Sequence, residues 1–175
     1  MPITPDAKDW TWVLERPCPE CGFEAGSIDP AHVGALIRDN AASWQQLLRQ
    51  SDGRALRDRP TDERWSPLEY ACHVRDVFRL YDQRLTLMLT EDDPTYPNWD
   101  QDVTAIEQHY NEQDPKEVAR ELDAAAKTLA GHFDAVTGAQ WERAGTRSDG
   151  ARFTVDSFAR YLVHDPVHHL YDVAS

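Results

Sequence analysis

The sequence has no apolar run approaching ~18 residues, so no transmembrane helix is expected from it. Positive charge is in short supply: 18 lysines and arginines stand against 31 aspartates and glutamates, a formal charge of −13. That deficit argues against a nucleic-acid backbone or an anionic membrane as partner, because both call for basic patches. The opening MPITPDAKDW lacks the basic start and apolar stretch of a secretory signal, which points to a cytoplasmic setting. Cysteine is scarce. Three cysteines cannot all pair within one chain, so free or metal-bound thiols are expected in a reducing compartment. There is no internal repeat at a period of ~20–50 residues, no low-complexity tract and no sustained strand-like alternation.

What is present is an ordinary globular balance, 41% hydrophobic and 28% charged over 175 residues, long enough for one domain with a core. Residues 1–28 form a Pro-rich irregular leader whose Trp10 and Trp12 suggest a segment packed on the body, since disordered tails are poor in aromatics. Residues 29–175 then read as four helices. The first opens at Asp29-Pro30 and carries Val33, Leu36, Ile37, Ala41, Trp44, Leu47 and Leu48 at helical spacing until Ser51-Asp52-Gly53. The second opens at Ser66-Pro67-Leu68-Glu69, a capping box, and the third at Asp114-Pro115-Lys116-Glu117. The fourth starts near Thr154, after the turn Ser148-Asp149-Gly150. The fold class is therefore all-α.

The connection between the second and third helices is the long one, roughly Glu91 to Gln113. A helix of ~24 residues is ~36 Å long, and a connection of this size can run back along it. The expected architecture is a four-helix bundle with a long crossover between helices two and three.

Three histidines stand out against this frame. His164 and His168 lie four residues apart on the fourth helix, and His73 lies on the second beside its apolar stripe. Imidazoles at i and i+4 project from one face about one turn apart, a spacing that suits one metal ion. A third from a neighbouring helix leaves a coordination position open. Pro166 between the pair removes a backbone donor and is expected to shift the helix's phase. The bland alternative for each histidine alone is a packed boundary residue. Asp76 and Asp165 could each orient a ligand imidazole or simply be solvated helix carboxylates. His169 points about 100° away from His168 and reads as a supporting or packed residue. Tyr161, Tyr171 and Arg160 are candidate pocket residues, and Trp99 a candidate cover for its mouth.

SPLEYACHVRDV on the second helix and HDPVHHLYDV near the C-terminus resemble the DinB/YfiT-like superfamily, over residues ~29–173. The resemblance implies a four-helix bundle, often a homodimer, with a divalent metal held by three histidines near one end. By matching position, that role falls on His73, His164 and His168. It further implies a small-molecule substrate and either a thiol S-transferase or isomerase using a low-molecular-weight thiol, or a metal-dependent hydrolase. Some mycothiol-using members carry a carboxylate in place of one histidine, whereas this chain has His164 at the matching position, which weighs against mycothiol as the thiol. An ion on three neutral imidazoles keeps its full double charge and would acidify a thiol or water. Zinc and nickel lead the choice of metal, although imidazoles also take copper or iron. The competing readings are a non-catalytic bundle that dimerises, and a protein that sequesters a metal or ligand.

Cys18-Pro19-Glu20-Cys21-Gly22 lies outside that resemblance. CPxCG is the turn of a zinc knuckle, but a closed zinc site needs four ligands and no second CxxC exists. Cys72, His32, His109 and His132 are candidate completions, and spacing does not choose among them. Redox chemistry and plain packed thiols are the alternatives.

Overall fold

Each long helix begins where a short polar side chain takes up the free amides of its first turn. In the computed structural model, which describes residues 9–175, Asp29 accepts from the Ala31 amide and opens a 3-10 turn. That turn runs into α1 (Val33–Gln50). Asp52 caps the short α2 (Gly53–Arg57), and the Ser66/Glu69 capping box opens α3 (Pro67–Thr90). Asp100 caps α4 (Gln101–Glu107), Asp114 caps α5 (Pro115–Asp134) and Thr154 caps α6 (Val155–Ala174). These are amides that no intrahelical carbonyl can reach, which is why Ser, Thr and Asp hold the positions. Helix α6 is unbroken through Pro166, so the proline forgoes one hydrogen bond without ending it.

Helices α1, α3, α5 and α6 form the bundle. Neighbouring pairs are α1/α5, α5/α3, α3/α6 and α6/α1, so α1 and α3 lie diagonally opposite although consecutive among the four. Polar contacts give the directions. Arg79 reaches Glu121 and Asp82 reaches His132, so α3 and α5 run parallel. His73 meets Asp165 while Tyr81 stacks on Phe158, so α3 and α6 run antiparallel. A parallel neighbour requires the chain to return along the bundle. The connection from Glu91 does so, ending where the Ser66 hydroxyl meets Asn111 at the start of α3 (2.6 Å). The expected crossover is present.

Three short strands modify the all-helical expectation: β1 (Thr95–Tyr96), β2 (Ala144–Arg147) and β3 (Arg152–Thr154). β1 pairs parallel to β2, and β2 pairs antiparallel to β3 around the Asp149-Gly150 turn, where Gly150 has φ +97. Strands of two to four residues carry too little alternation to be read from a sequence. A Cβ at Gly145 would come within 2.8 Å of Met88 Cγ, so glycine is what lets β2 lie flat on α3.

The core runs the length of the bundle through Trp44, Phe78, Leu85, Leu122, Phe133 and Phe158. The described part of the leader joins it. Val13 and Cys18 are buried, and its 3-10 turns pack on α6; residues 1–8 lie outside the described residues. Ser66→Ala should cost about 1–2 kcal/mol in urea denaturation, because this hydroxyl both caps α3 and binds Asn111. A loss near zero would mean that water replaces the cap.

Candidate metal centre

The end of the bundle where α3 begins and α6 finishes collects a dense set of metal-ligating side chains. His73 faces α6 with Nε2 at 3.0 Å from Asp165 Oδ1. One turn further along α6, His169 places Nε2 at 3.4 Å from the same oxygen. Ligand atoms ~2.0–2.2 Å from a common ion, at right to tetrahedral angles, stand about 2.8–3.6 Å apart. These two separations fit. The outer nitrogen of His169, Nδ1, lies 3.0 Å from Asp172 Oδ2. A proton held on that side leaves the Nε2 lone pair facing inward, as a metal-binding imidazole requires. His169 Nε2 and His73 Nδ1 are buried with no hydrogen-bond partner among the described residues.

Burial pushes the Asp165 carboxyl up, but His73 and His169 beside it outweigh burial and hold it at about 2. It is ionised at any physiological pH, so an anionic oxygen sits between two imidazoles.

A second group lies on the adjacent face of α6. Cys18, Cys21, His164 and His168 bring one donor atom each to within 4.8 Å of one another. Burial lowers His164 to about 4, helped by the neighbouring His168, so the ring is neutral near pH 7. Burial also lifts Cys21 to about 11 and Cys72 to about 12, so neither free thiol is a ready thiolate nucleophile.

The expected trio of His73, His164 and His168 is thus divided. His73 joins Asp165 and His169, while His164 and His168 join the two cysteines. The reason is helical phase. HDPVHH contains two i, i+4 pairs one residue apart, and 100° of rotation turns 165/169 toward α3 and 164/168 toward the leader. Asp165 and His169, expected to support or pack, are members of the donor group with His73. Asp76, three residues after His73 on α3, has its carboxylate engaged by Arg75 Nε at 2.9 Å and by the Tyr110 hydroxyl. The candidate completions for the cysteines lie elsewhere. Cys72 points its thiol at the Tyr110 carbonyl, His32 is exposed beside Asp29, His132 binds Asp82, and His109 occupies a left-handed turn.

Beside Asp165 opens a cavity of about 450 Å³, lined among others by Trp10, Tyr81, Arg84, Trp99, Arg147 and Tyr161. Trp99 lies parallel to the His73 ring at 5.3 Å, so it contributes both to the cavity wall and to the cover over that imidazole. Arg160 instead binds Asp156 and the Ala25 carbonyl, and Tyr171 is exposed at the helix end. Two lining arginines were not singled out in the sequence. Arg147 is held bidentately by Asp149 and also reaches the Tyr161 hydroxyl. Arg84 is 4% exposed, donates to the Pro97 carbonyl at 2.9 Å and lies over the rings of Tyr81 and Tyr96. No carboxylate pairs with Arg84 among the described residues, and its Nε is without a partner.

A helical bundle with a His-carboxylate-His donor set at one end, opening on a cavity, is the architecture defined by these observations. A family model of the DinB superfamily matches residues 6–173, and the chain belongs to that superfamily. The match begins within the leader. No curated protein matches the chain in sequence. Among solved structures it is similar to YfiT from Bacillus subtilis, described as a probable metal-dependent hydrolase with an unusual four-helix bundle topology. That likeness has a TM-score of 0.75 at 17% identity, over 85% of this chain and 89% of the other. It is also similar to a point mutant of the mycothiol-dependent maleylpyruvate isomerase, with a TM-score of 0.69 at 11% identity, over 86% of this chain and 63% of the other. At these identities the likeness is one of fold.

Proposed function

We propose that His73, Asp165 and His169 hold a divalent metal ion and that the protein is a thiol-dependent transferase or isomerase acting on an anionic small molecule. The observation that carries this reading is the shared Asp165 oxygen, 3.0 and 3.4 Å from two imidazole nitrogens at the edge of the cavity. Three protein donors leave coordination free for a ligand. A divalent ion bound there supplies Lewis acidity, depressing the pKa of a thiol or water that reaches it. The carboxylate in the donor set favours the thiol-using reading, since replacement of one histidine by a carboxylate marks some mycothiol-using relatives.

The chain's own groups do the rest. Asp172 keeps a proton on His169 Nδ1 and so directs the Nε2 lone pair inward. Trp99 shields His73 from water. Arg84 is a buried positive charge with no carboxylate paired to it among the described residues; Asp9, Asp100, Asp102 and Asp149 line the same cavity, so an anion would be taken at Arg84 itself rather than by the wall as a whole. Arg147 and the Tyr161 hydroxyl frame the same wall.

Protein purified without added metal, assayed for elements and then screened with low-molecular-weight thiols and chromogenic electrophiles, tests the reading. Turnover should require both the metal and the thiol. Metal-dependent turnover that ignores the thiol would instead identify a hydrolase. Arg84→Met should raise KM for a carboxylate-bearing electrophile roughly 10–100-fold, the worth of a charge-assisted contact, and spare a neutral one. Equal effects on both would remove the anion assignment.

A further inference from the structure

The cysteines of the leader have a geometry that the catalytic reading leaves unused. Gly22, at φ +74, donates its amide to the Cys18 carbonyl at 2.9 Å, and the Cys18 amide donates to the Phe23 carbonyl at 2.9 Å. This tight ring turns both thiols to one side, and the Phe23 amide is directed at the Cys21 sulfur. Only glycine adopts that backbone without strain, which accounts for the last residue of CPECG.

Facing the thiols are two imidazoles from α6. His168 Nδ1 lies 3.6 Å from Cys18 Sγ. Two ligands of one tetrahedral zinc, one sulfur and one nitrogen, are about 3.5 Å apart. The far nitrogen, His168 Nε2, faces Glu20 Oε2 at 3.4 Å and Asp172 Oδ1 at 3.6 Å. Neither contact is a hydrogen bond, but two carboxylates on that side favour the proton on Nε2 electrostatically, the tautomer that leaves the Nδ1 lone pair to the thiols. His164 is 1% exposed, and neither of its ring nitrogens has a hydrogen-bond partner among the described residues. A buried imidazole with both nitrogens idle is an acceptor waiting for a Lewis acid.

We propose that Cys18, Cys21, His164 and His168 form a closed zinc site that clamps the N-terminal leader onto the last helix. Two sulfurs and two nitrogens complete a tetrahedron and leave no position for substrate, so the site is structural. Two thiolates neutralise the ion's charge, unlike the donor set around Asp165. The clamp fixes Trp10, whose ring lies 4.7 Å from His164 and 4.8 Å from His168 and which lines the cavity. Asp172 joins the two centres, since its two oxygens face His168 and His169 separately.

The test begins with unaltered protein. One zinc per chain should survive dialysis against a chelator and be released when the thiols are titrated with an organomercurial. Cobalt in its place should show a thiolate charge-transfer band with tetrahedral d–d bands. Cys18→Ser should lose that band and one zinc per chain, while His73→Ala keeps both. Thiols that titrate without releasing zinc, or a cobalt spectrum lacking the thiolate band, would overturn the proposal whether or not Cys18→Ser folds. Loss of metal in His73→Ala alone speaks to the other centre, so the two assignments fail separately.

Discussion

Asp165→Ala is expected to strip the open centre of its ion while the zinc on the cysteines stays in place. Removing a partner that merely orients a metal ligand costs about 10–100-fold in affinity, so losing a donor itself should exceed ~100-fold. Asp165 is also the anionic member of its set and touches both imidazoles, at 3.0 and 3.4 Å. Its loss leaves two imidazole nitrogens on different helices, without the oxygen they share. Thiol-dependent turnover should fall with the metal, and far-ultraviolet circular dichroism should not change. Asp165→His, which restores a third donor, is expected to recover binding. Calorimetric titration with zinc or nickel after chelator treatment gives the readout. Affinity in Asp165→Ala within threefold of the parent would show that the ion sits elsewhere.

The second large effect is expected in the core. Phe158 is 1% exposed and stacks on Tyr81 of α3 at 5.0 Å, with Phe153 of β3 edge-on at 6.2 Å. It therefore joins α3, α6 and the small sheet in one contact. Phe158→Ala should cost about 3–5 kcal/mol, because both the apolar transfer energy and the surrounding packing are lost. Against a total stability of about 5–15 kcal/mol, this leaves a variant near its unfolding threshold at moderate temperature. Phe158→Leu should cost less than ~1.5 kcal/mol, since most of the volume remains. Urea unfolding with an unchanged slope measures both. A loss below ~1 kcal/mol for the alanine variant would mean that the sheet collapses into the cavity and refills it.

Ser66 with Glu69 announced the start of α3, and the structure has both hydrogen bonds of that capping box. Capping is local, decided within four residues, so it is legible. The crossover was legible too, because chain length bounds how far a connection can travel. The strands were not: a hairpin of three- and four-residue segments depends on Met88, Tyr96 and Gly145 meeting from distant parts of the chain. Nothing in the local sequence distinguishes Arg84 from any other helix arginine. Only its burial between Tyr81 and Tyr96 marks it out.

By itself the sequence determined four capped helices, the long return between the second and third, and the presence of metal-ligating residues near both ends of the chain. It could not decide which donors share a point in space. HDPVHH offers two interleaved pairs, and a rotation of 100° separates them. The choice was made by what packs on each side: α3 with His73 on one, the leader with Cys18 and Cys21 on the other. Helix phase against its neighbours is a property of the assembled core, set by side chains far apart in the chain, and no local pattern contains it.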